Sequence, residues 1–244
     1  MININEESGL NAFQQYLRGQ EMNLTMIYVD TPFWRAEIGR IALHHGNIPF
    51  TDKRIKRDEF IAAKQHGKLQ DGFTLPFSQI PVLIIDDQPL AQTGAISRFC
   101  GKLGNLYPVR NPVKAAKIDQ IIDFATDITV LFSIFRKSNG GSQVLKERET
   151  FFHNMMYPKL SMLENCLEED QEWSVGSKMT ISDLTIWRLF GWLSSGIIDG
   201  FPTDFIKTLP KIQRICLRVD SQNSIREWVA KTYPKAYVRG HYGE

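Results

Sequence analysis

The chain reads as a mixed α/β domain followed by an all-α domain, and three observations predict this. Up to residue 104, short β-branched runs alternate with helical patterns. The stretch "NLYPVRNP", residues 105–112, holds two prolines among turn-forming residues and reads as a linker. Beyond it, every long apolar pattern has helical period. The expected division is an N-terminal extension at 1–22, an α/β domain at 23–104, the linker, and a helical domain at 113–244.

After the polar leader, "LTMIYV" (24–29) is β-branched and aromatic enough for a strand. Asp30-Thr31-Pro32 supplies a turn with capping chemistry, and "FWRAEIGRIALHHG" follows as a helix with Ile38, Ile41 and Ala42 on one face, stopped by Gly46. "IPFTDKRI" is a second strand, and parallel pairing with the first requires a crossover of this kind. "RDEFIAAKQHGKLQDGF" reads as a short helix running into a loop. "PVLIID", an Asp-Asp-Gln turn, "PLAQ" and a helix from about Gly94 complete the order β-α-β-α-β-β-α. In the second half, "VKAAKIDQIIDFATDITVLFSIF" and "ERETFFHNMMYPKLSMLENCLEE" are long amphipathic helices. "ISDLTIWRLFGWLSSGII" is nearly all apolar but carries Asp183 and Arg188, and so predicts the central helix of a helical domain, not a membrane span.

Composition narrows the function. Of 244 residues, 43% are hydrophobic and 23% charged, an ordinary globular balance, and the net charge of +2 makes no electrostatic case for a nucleic-acid partner. The three cysteines (Cys100, Cys166, Cys216) are odd in number and far apart, which argues against a disulfide scaffold and suits a reducing compartment. No Cys/His spacing suits a metal. The leader lacks the basic start and apolar core of a signal peptide, and no apolar run reaches the length of a membrane span, so a cytoplasmic protein is expected.

One residue is out of place. Pro81 opens the apolar strand Val82–Asp86, although proline has no N–H to give a sheet. An Ile80–Pro81 bond is open to the cis form, because proline cuts the trans preference to about 0.5–1 kcal/mol. A cis bond would turn the backbone groups of Ile80 outward, where an extended peptide could pair with them. Gln92 and Thr93 follow just before a helix, whose free N–H groups and positive dipole end suit a carboxylate. A plain turn proline and an N-cap threonine account for the same residues.

Taken together, "TLPFSQIPVL", Gln92-Thr93 and Arg35-Ala36-Glu37 resemble the cytosolic glutathione transferases, and the sigma class in particular, which includes glutathione-dependent prostaglandin D synthases. "MTISDLTIW" (179–187) resembles that family's capping box and staple: Thr180 caps, Asp183 bonds back, and Met179 packs on Leu184. The resemblance runs from about Leu24 to the C-terminus and implies a thioredoxin-like N-terminal domain with a helical C-terminal one. It implies glutathione as co-substrate, its backbone on Ile80 with Pro81 setting the geometry, and its γ-glutamyl end on Gln92 and Thr93. Arg35 and Gln79 are further glutathione contacts on this reading. Lys64 and Phe60 stand for the lysine and tryptophan that meet the glycyl carboxylate in sigma enzymes, although a solvated lysine and a packing phenylalanine explain them equally, and "QHGKLQDG" is an insertion there.

Asp119, Asp123 and Asp127 recur every four residues and line one helix face. The resemblance gives Asp127 the role of reaching across a homodimer interface to the partner's glutathione amine; a solvated, salt-bridged stripe is the alternative. For thiol activation the family uses a hydroxyl donor. Counting back from Arg35 without gaps puts Val29, not a tyrosine, in the sigma position, and a one-residue insertion in "VDTPFW" restores Tyr28. Thr31 is the rival, standing where theta-like classes place a serine. Tyr28 as a core residue and Thr31 as a helix cap are the plain readings. No cysteine stands at the start of the first helix, which weighs against thiol oxidoreductase chemistry. Phe33, Trp34 and Phe132 are candidates to line an apolar electrophile pocket expected between the domains. The expected activity is conjugation of the glutathione thiolate to apolar electrophiles. Prostaglandin-type isomerisation and a non-catalytic, crystallin-like or regulatory descendant are the alternatives.

Overall fold

A computed structural model describes residues 22–135 and 142–243, the side chains of 142–144 excepted. The expected extension at 1–22 lies outside the described residues, save Met22. The chain divides into two compact units between Ala115 and Ala116.

The first unit runs β1 (Leu24–Val29), α1 (Trp34–His45), β2 (Thr51–Ile55), α2 (Arg57–His66), a 3-10 turn (Pro76–Ser78), β3 (Val82–Ile85), β4 (Gln88–Ala91) and α3 (Thr93–Leu103). The sheet order is β2-β1-β3-β4. β1 is parallel to β2 and antiparallel to β3, and β3 and β4 form an antiparallel hairpin. Strand alternation divides the apolar side chains between two faces. Ile27, Ile55, Val82, Ile84 and Ala91 pack with Ala63 of α2. Leu24, Met26 and Leu83 point the other way and are buried. On that second face α1 comes so near that a Cβ added at Gly39 would lie 2.8 Å from Met26 Cε, with Ile96 and Cys100 of α3 at 3.4 Å. Glycine is what permits this approach.

Two boundaries differ from the sequence reading. β2 begins at Thr51 rather than Ile48, because Pro49 has no N–H for a ladder. The turn before α1 provides no side-chain cap: the N-cap is Phe33, so Thr31 is not the cap residue.

The second unit holds most of α4 (Pro112–Phe135), then α5 (Ser142–Phe151), a π segment (Phe152–Met156), α6 (Tyr157–Cys166), α7 (Ile181–Ser194), a 3-10 turn (Phe205–Thr208), α8 (Pro210–Asp220) and α9 (Asn223–Thr232). The linker's last residue, Pro112, is the first of α4, and Asn111 Oδ1 accepts the Lys114 N–H at 2.9 Å. The π segment interrupts the expected amphipathic run ahead of Pro158, which has no N–H to continue an α register, and the Tyr157 N–H bonds to the Phe152 carbonyl instead. Every residue of α7 except Trp192 is buried, as an all-round apolar helix requires. Its start is held by Asp183, whose carboxylate accepts the N–H groups of Thr180 and Ser174, both at 2.7 Å, in the expected capping box. The buried Arg188 donates to the Arg239 carbonyl at 2.9 Å and to the Tyr237 hydroxyl at 3.0 Å, tying the C-terminal segment to α7. Among the described residues no helix is long and apolar enough to cross a membrane.

Candidate active site

The register of three strands brings the separate sequence signals to one end of the sheet. Val82, the first residue of β3, pairs with Ile27 on one side and with Ala91 on the other. One step further along the same register, Pro81 falls beside Tyr28 and Gln92. The Ile80–Pro81 peptide bond is cis. The Ile80 side chain packs against the Ile27 and Val82 core while the residue stays half-buried. Among the described residues, no turn or loop hydrogen bond uses its N–H or carbonyl.

Gln92 is the N-cap of α3 and holds φ 75°, ψ 122°, a region an L-residue enters at a cost of about 1–3 kcal/mol. Its side chain is exposed. Thr93, the next residue, is 4% exposed, and its hydroxyl has no hydrogen-bond partner. The hydroxyl lies at a helix N-terminus beside the free N–H groups of the first turn, groups that suit a carboxylate. Ser97, one turn further along α3, carries a second buried hydroxyl without a partner.

Tyr28 lies near the end of β1 and is 7% exposed. Burial pushes its phenol up to about 12, against the opposing pull of the Arg35 and Arg40 charges, so it remains a proton donor throughout the working range. Arg35, in the first turn of α1, is half-buried, and burial lowers its pKa. Thr31 is half-buried in the turn between β1 and α1, where its N–H bonds to the Val29 carbonyl at 2.8 Å.

Sequence reasoning missed the charges that hold this turn. Arg40, with no exposed surface, bonds Glu37, Asp52 and the carbonyl of Thr31. Arg54 bonds the other oxygen of Asp52 and reaches Asp30. The Glu37/Arg40 spacing of three was a signal, since such pairs meet on a helix. The link to Asp52 depends on β2 and was not legible.

The remaining candidates separate by exposure. Gln79 and Lys64 are exposed, Lys64 in the last turn of α2. Phe60 packs on the same core as Ile80, in keeping with its packing alternative. Trp34 has no exposed surface, and Phe132 is 5% exposed with its ring edge-on to Trp192 and Phe201, so both are taken up by packing. Phe33 is half-buried and retains surface to offer. Asp127 is exposed on α4. Cys100 and Cys216 are buried, and burial drives both thiols well above their ordinary range. Among the described residues no cluster of His, Cys, Asp or Glu could hold a metal ion.

Fold and site together define a class: a thioredoxin-like domain with a cis-proline at the sheet end beside a helix N-terminus, followed by an all-helical unit. Comparison with known proteins takes this further. The profile of the glutathione S-transferase N-terminal domain matches residues 24–101, and that of the C-terminal domain matches 126–232. Glutathione S-transferase 1 of Ascaris suum is 27% identical over 203 residues, which cover 80% of this chain and 90% of that protein. Hematopoietic prostaglandin D synthase of Gallus gallus is 26% identical over 208 residues, covering 84% and 94%. Among solved structures, prostaglandin synthase D of Nilaparvata lugens shares the fold, with a TM-score of 0.72 at 21% identity over 87% of this chain and 98% of its own. The chain belongs to the glutathione S-transferase family, with sigma-like relatives, and glutathione is that family's co-substrate.

The burial of Tyr28 has a measurable consequence. The unfolded chain releases this proton near pH 10 and the folded protein near 12. Between those values the unfolded state binds fewer protons, so stability falls as pH rises, by roughly 2–3 kcal/mol in all. Urea unfolding at pH 9 and pH 11.5 should show a larger loss for the wild type than for Tyr28→Phe, and equal losses would place the phenol in solvent.

Proposed function

We propose that this transferase binds glutathione along the Ile80 edge of its first unit, holds the thiol as thiolate, and adds it to apolar electrophiles in the cytoplasm. The observation that carries the reading is the buried, unpartnered Thr93 hydroxyl behind the strained Gln92, in register with the cis Ile80–Pro81 bond. Glutathione's backbone would pair with Ile80, and its γ-glutamyl carboxylate would take the Thr93 hydroxyl, the Gln92 side chain and the α3 N-terminus. Arg35, Gln79 and Lys64 lie on the same unit as further polar contacts. A free thiol ionises near pH 8.5, so the enzyme's main task is to favour the thiolate. The phenol of Tyr28 is the proposed donor to sulfur, with the Thr31 hydroxyl as its rival. The thiolate then forms a carbon–sulfur bond as the electrophile's leaving group departs or its π electrons shift. Where the adduct collapses and returns glutathione, the same site performs a prostaglandin-type isomerisation; the name of one relative is hematopoietic prostaglandin D synthase.

Thr93 gives a direct test of binding. Thr93→Val removes a hydroxyl that has no partner in the free protein, so apo stability should hold or rise. Glutathione affinity, by calorimetry, should fall about tenfold to hundredfold, the worth of a hydrogen bond to a charged group, with Thr93→Ser retaining most of it. Unchanged affinity in the valine variant would remove Thr93 from the site.

The activity itself is tested by ultraviolet titration of the bound thiol. The wild type should lower the thiol pKa by a unit or more, about 1.4 kcal/mol per unit, and either Tyr28→Phe or Thr31→Ala should abolish the shift. Binding with an unshifted thiol would make the chain a non-catalytic member of the family.

We also propose a homodimer, with Asp127 serving the partner's glutathione amine. Asp127 is exposed on α4, and at helical spacing along the same face Val130 and Ile134 stand 47% and 69% exposed; in the first unit, Phe77 is 73% exposed. Sedimentation should give twice the chain mass for the wild type and the single chain mass for Val130→Glu/Ile134→Glu. A monomeric wild type would reject the dimer and the role of Asp127 with it.

A further inference from the structure

We infer that Arg40 is a positioning residue for thiol activation, acting through the turn that carries Thr31 and through the ring of Tyr28. The inference rests on the transferase reading above. One guanidinium, with no exposed surface, reaches three separate elements through two of its nitrogens, while Nη2 is left without a hydrogen-bond partner. Its Nε donates to Asp52 Oδ1 on β2 at 2.8 Å. Its Nη1 donates to Glu37 Oε2 within α1 at 3.2 Å and to the main-chain carbonyl of Thr31 at 3.3 Å. Its carbon stands 5.9 Å from the centre of the Tyr28 ring. Arg40 therefore bonds the backbone of one candidate donor and stands within cation–π range of the ring of the other.

Charge compensation does not require all of this. Glu37 and Asp52 already neutralise a buried arginine, whereas the Thr31 carbonyl carries no net charge, and bonding it fixes only where the turn sits. A second chain of bonds repeats the arrangement. Asp52 Oδ2 accepts Arg54 Nε at 2.8 Å, and Arg54 Nη1 donates to Asp30 Oδ1 at 2.9 Å. Asp52 is thus the hub of a clamp. Through one arginine it holds the carbonyl of Thr31, and through the other the side chain of Asp30, the neighbouring turn residue. The charged groups around the turn are Arg35, Glu37 and Arg40 from α1, Asp52 and Arg54 from β2, and Asp30 of the turn itself. Displacement of a donor by a fraction of an ångström weakens a hydrogen bond to sulfur without abolishing substrate binding.

The test uses Arg40→Lys, which keeps the charge but not the planar fork, and Asp52→Asn, which keeps the shape of the hub but not its charge. Glutathione affinity is measured by calorimetry at pH 6, and the thiol pKa by ultraviolet titration. Affinity should stay within about threefold of wild type, because Ile80, Gln92 and Thr93 lie outside the clamp, while kcat falls with little change in KM. The thiol pKa should move back toward the free value by about half a unit or more in Arg40→Lys, and in the same direction in Asp52→Asn. A residue that only supports the fold would leave the thiol pKa of the folded variants unchanged, and that result overturns the inference alone. An unshifted thiol in the wild type overturns the transferase reading and the inference with it. If Arg40→Lys fails to fold, Asp52→Asn carries the test, since the Asp52 side chain is 20% exposed at the margin of the network.

Discussion

Val82 is paired on both sides, with Ile27 of β1 and Ala91 of β4, and the candidate site depends on that double registration. The hydrophobic core enforces it. Ile27, Val82 and Ala91 all point to the face covered by α2, and a slip of one residue in either pairing would turn an apolar set toward the opposite face. With the register held, the strand before Val82 must end where β1 ends and where α3 begins. Pro81 contributes the stop, since it has no N–H to extend the ladder, and the cis bond leaves Ile80 at the sheet margin.

A strained residue and an unpaired hydroxyl stand together at this margin. Gln92 holds a positive φ, and Thr93 has a buried hydroxyl with no partner; each costs free energy that the surrounding fold must offset. Groups of this kind concentrate where a ligand completes the bonding. Ser97, one turn further along α3, and the Nη2 atoms of Arg40 and Arg54 are also buried without a partner, whereas the β3–β4 turn is bonded to Asn23 through both the backbone and the side chain of Asp86.

The second unit is organised around a helix buried nearly all round, and both of its buried charged side chains are hydrogen-bonded, although Arg188 Nε has no partner of its own. Asp183 closes the start of α7, and Arg188 is answered by Tyr237 and the carbonyl of Arg239 in the C-terminal segment. The close pass of that segment is made at Gly191, where a Cβ would lie 2.2 Å from the Arg239 carbonyl oxygen and from the Tyr242 hydroxyl. The two buried charges of α7 are therefore part of how the unit is assembled.

The order of strands and helices, the cis-proline edge, the Gln92-Thr93 pair and the capping box at Thr180 were legible in the amino-acid sequence. Each depends on local chemistry: side-chain period, the missing N–H of proline, and short polar side chains before a helix. Exposure was not legible. Trp34 and Phe132 have the composition of pocket residues but are packed away, and Phe60 supports the core, because burial is decided by which elements lie opposite. The Asp52 clamp was equally hidden. Asp52 and Arg54 alternate along a strand like any polar pair, and only the crossover through α1 brings them to Arg40 and the turn. The sequence by itself determined the family, the elements and the candidate edge at Ile80 and Pro81, since these follow from neighbours along the chain. Tertiary structure decided which side chains reach that edge and what holds the Thr31 turn, since these follow from contacts between residues far apart in sequence.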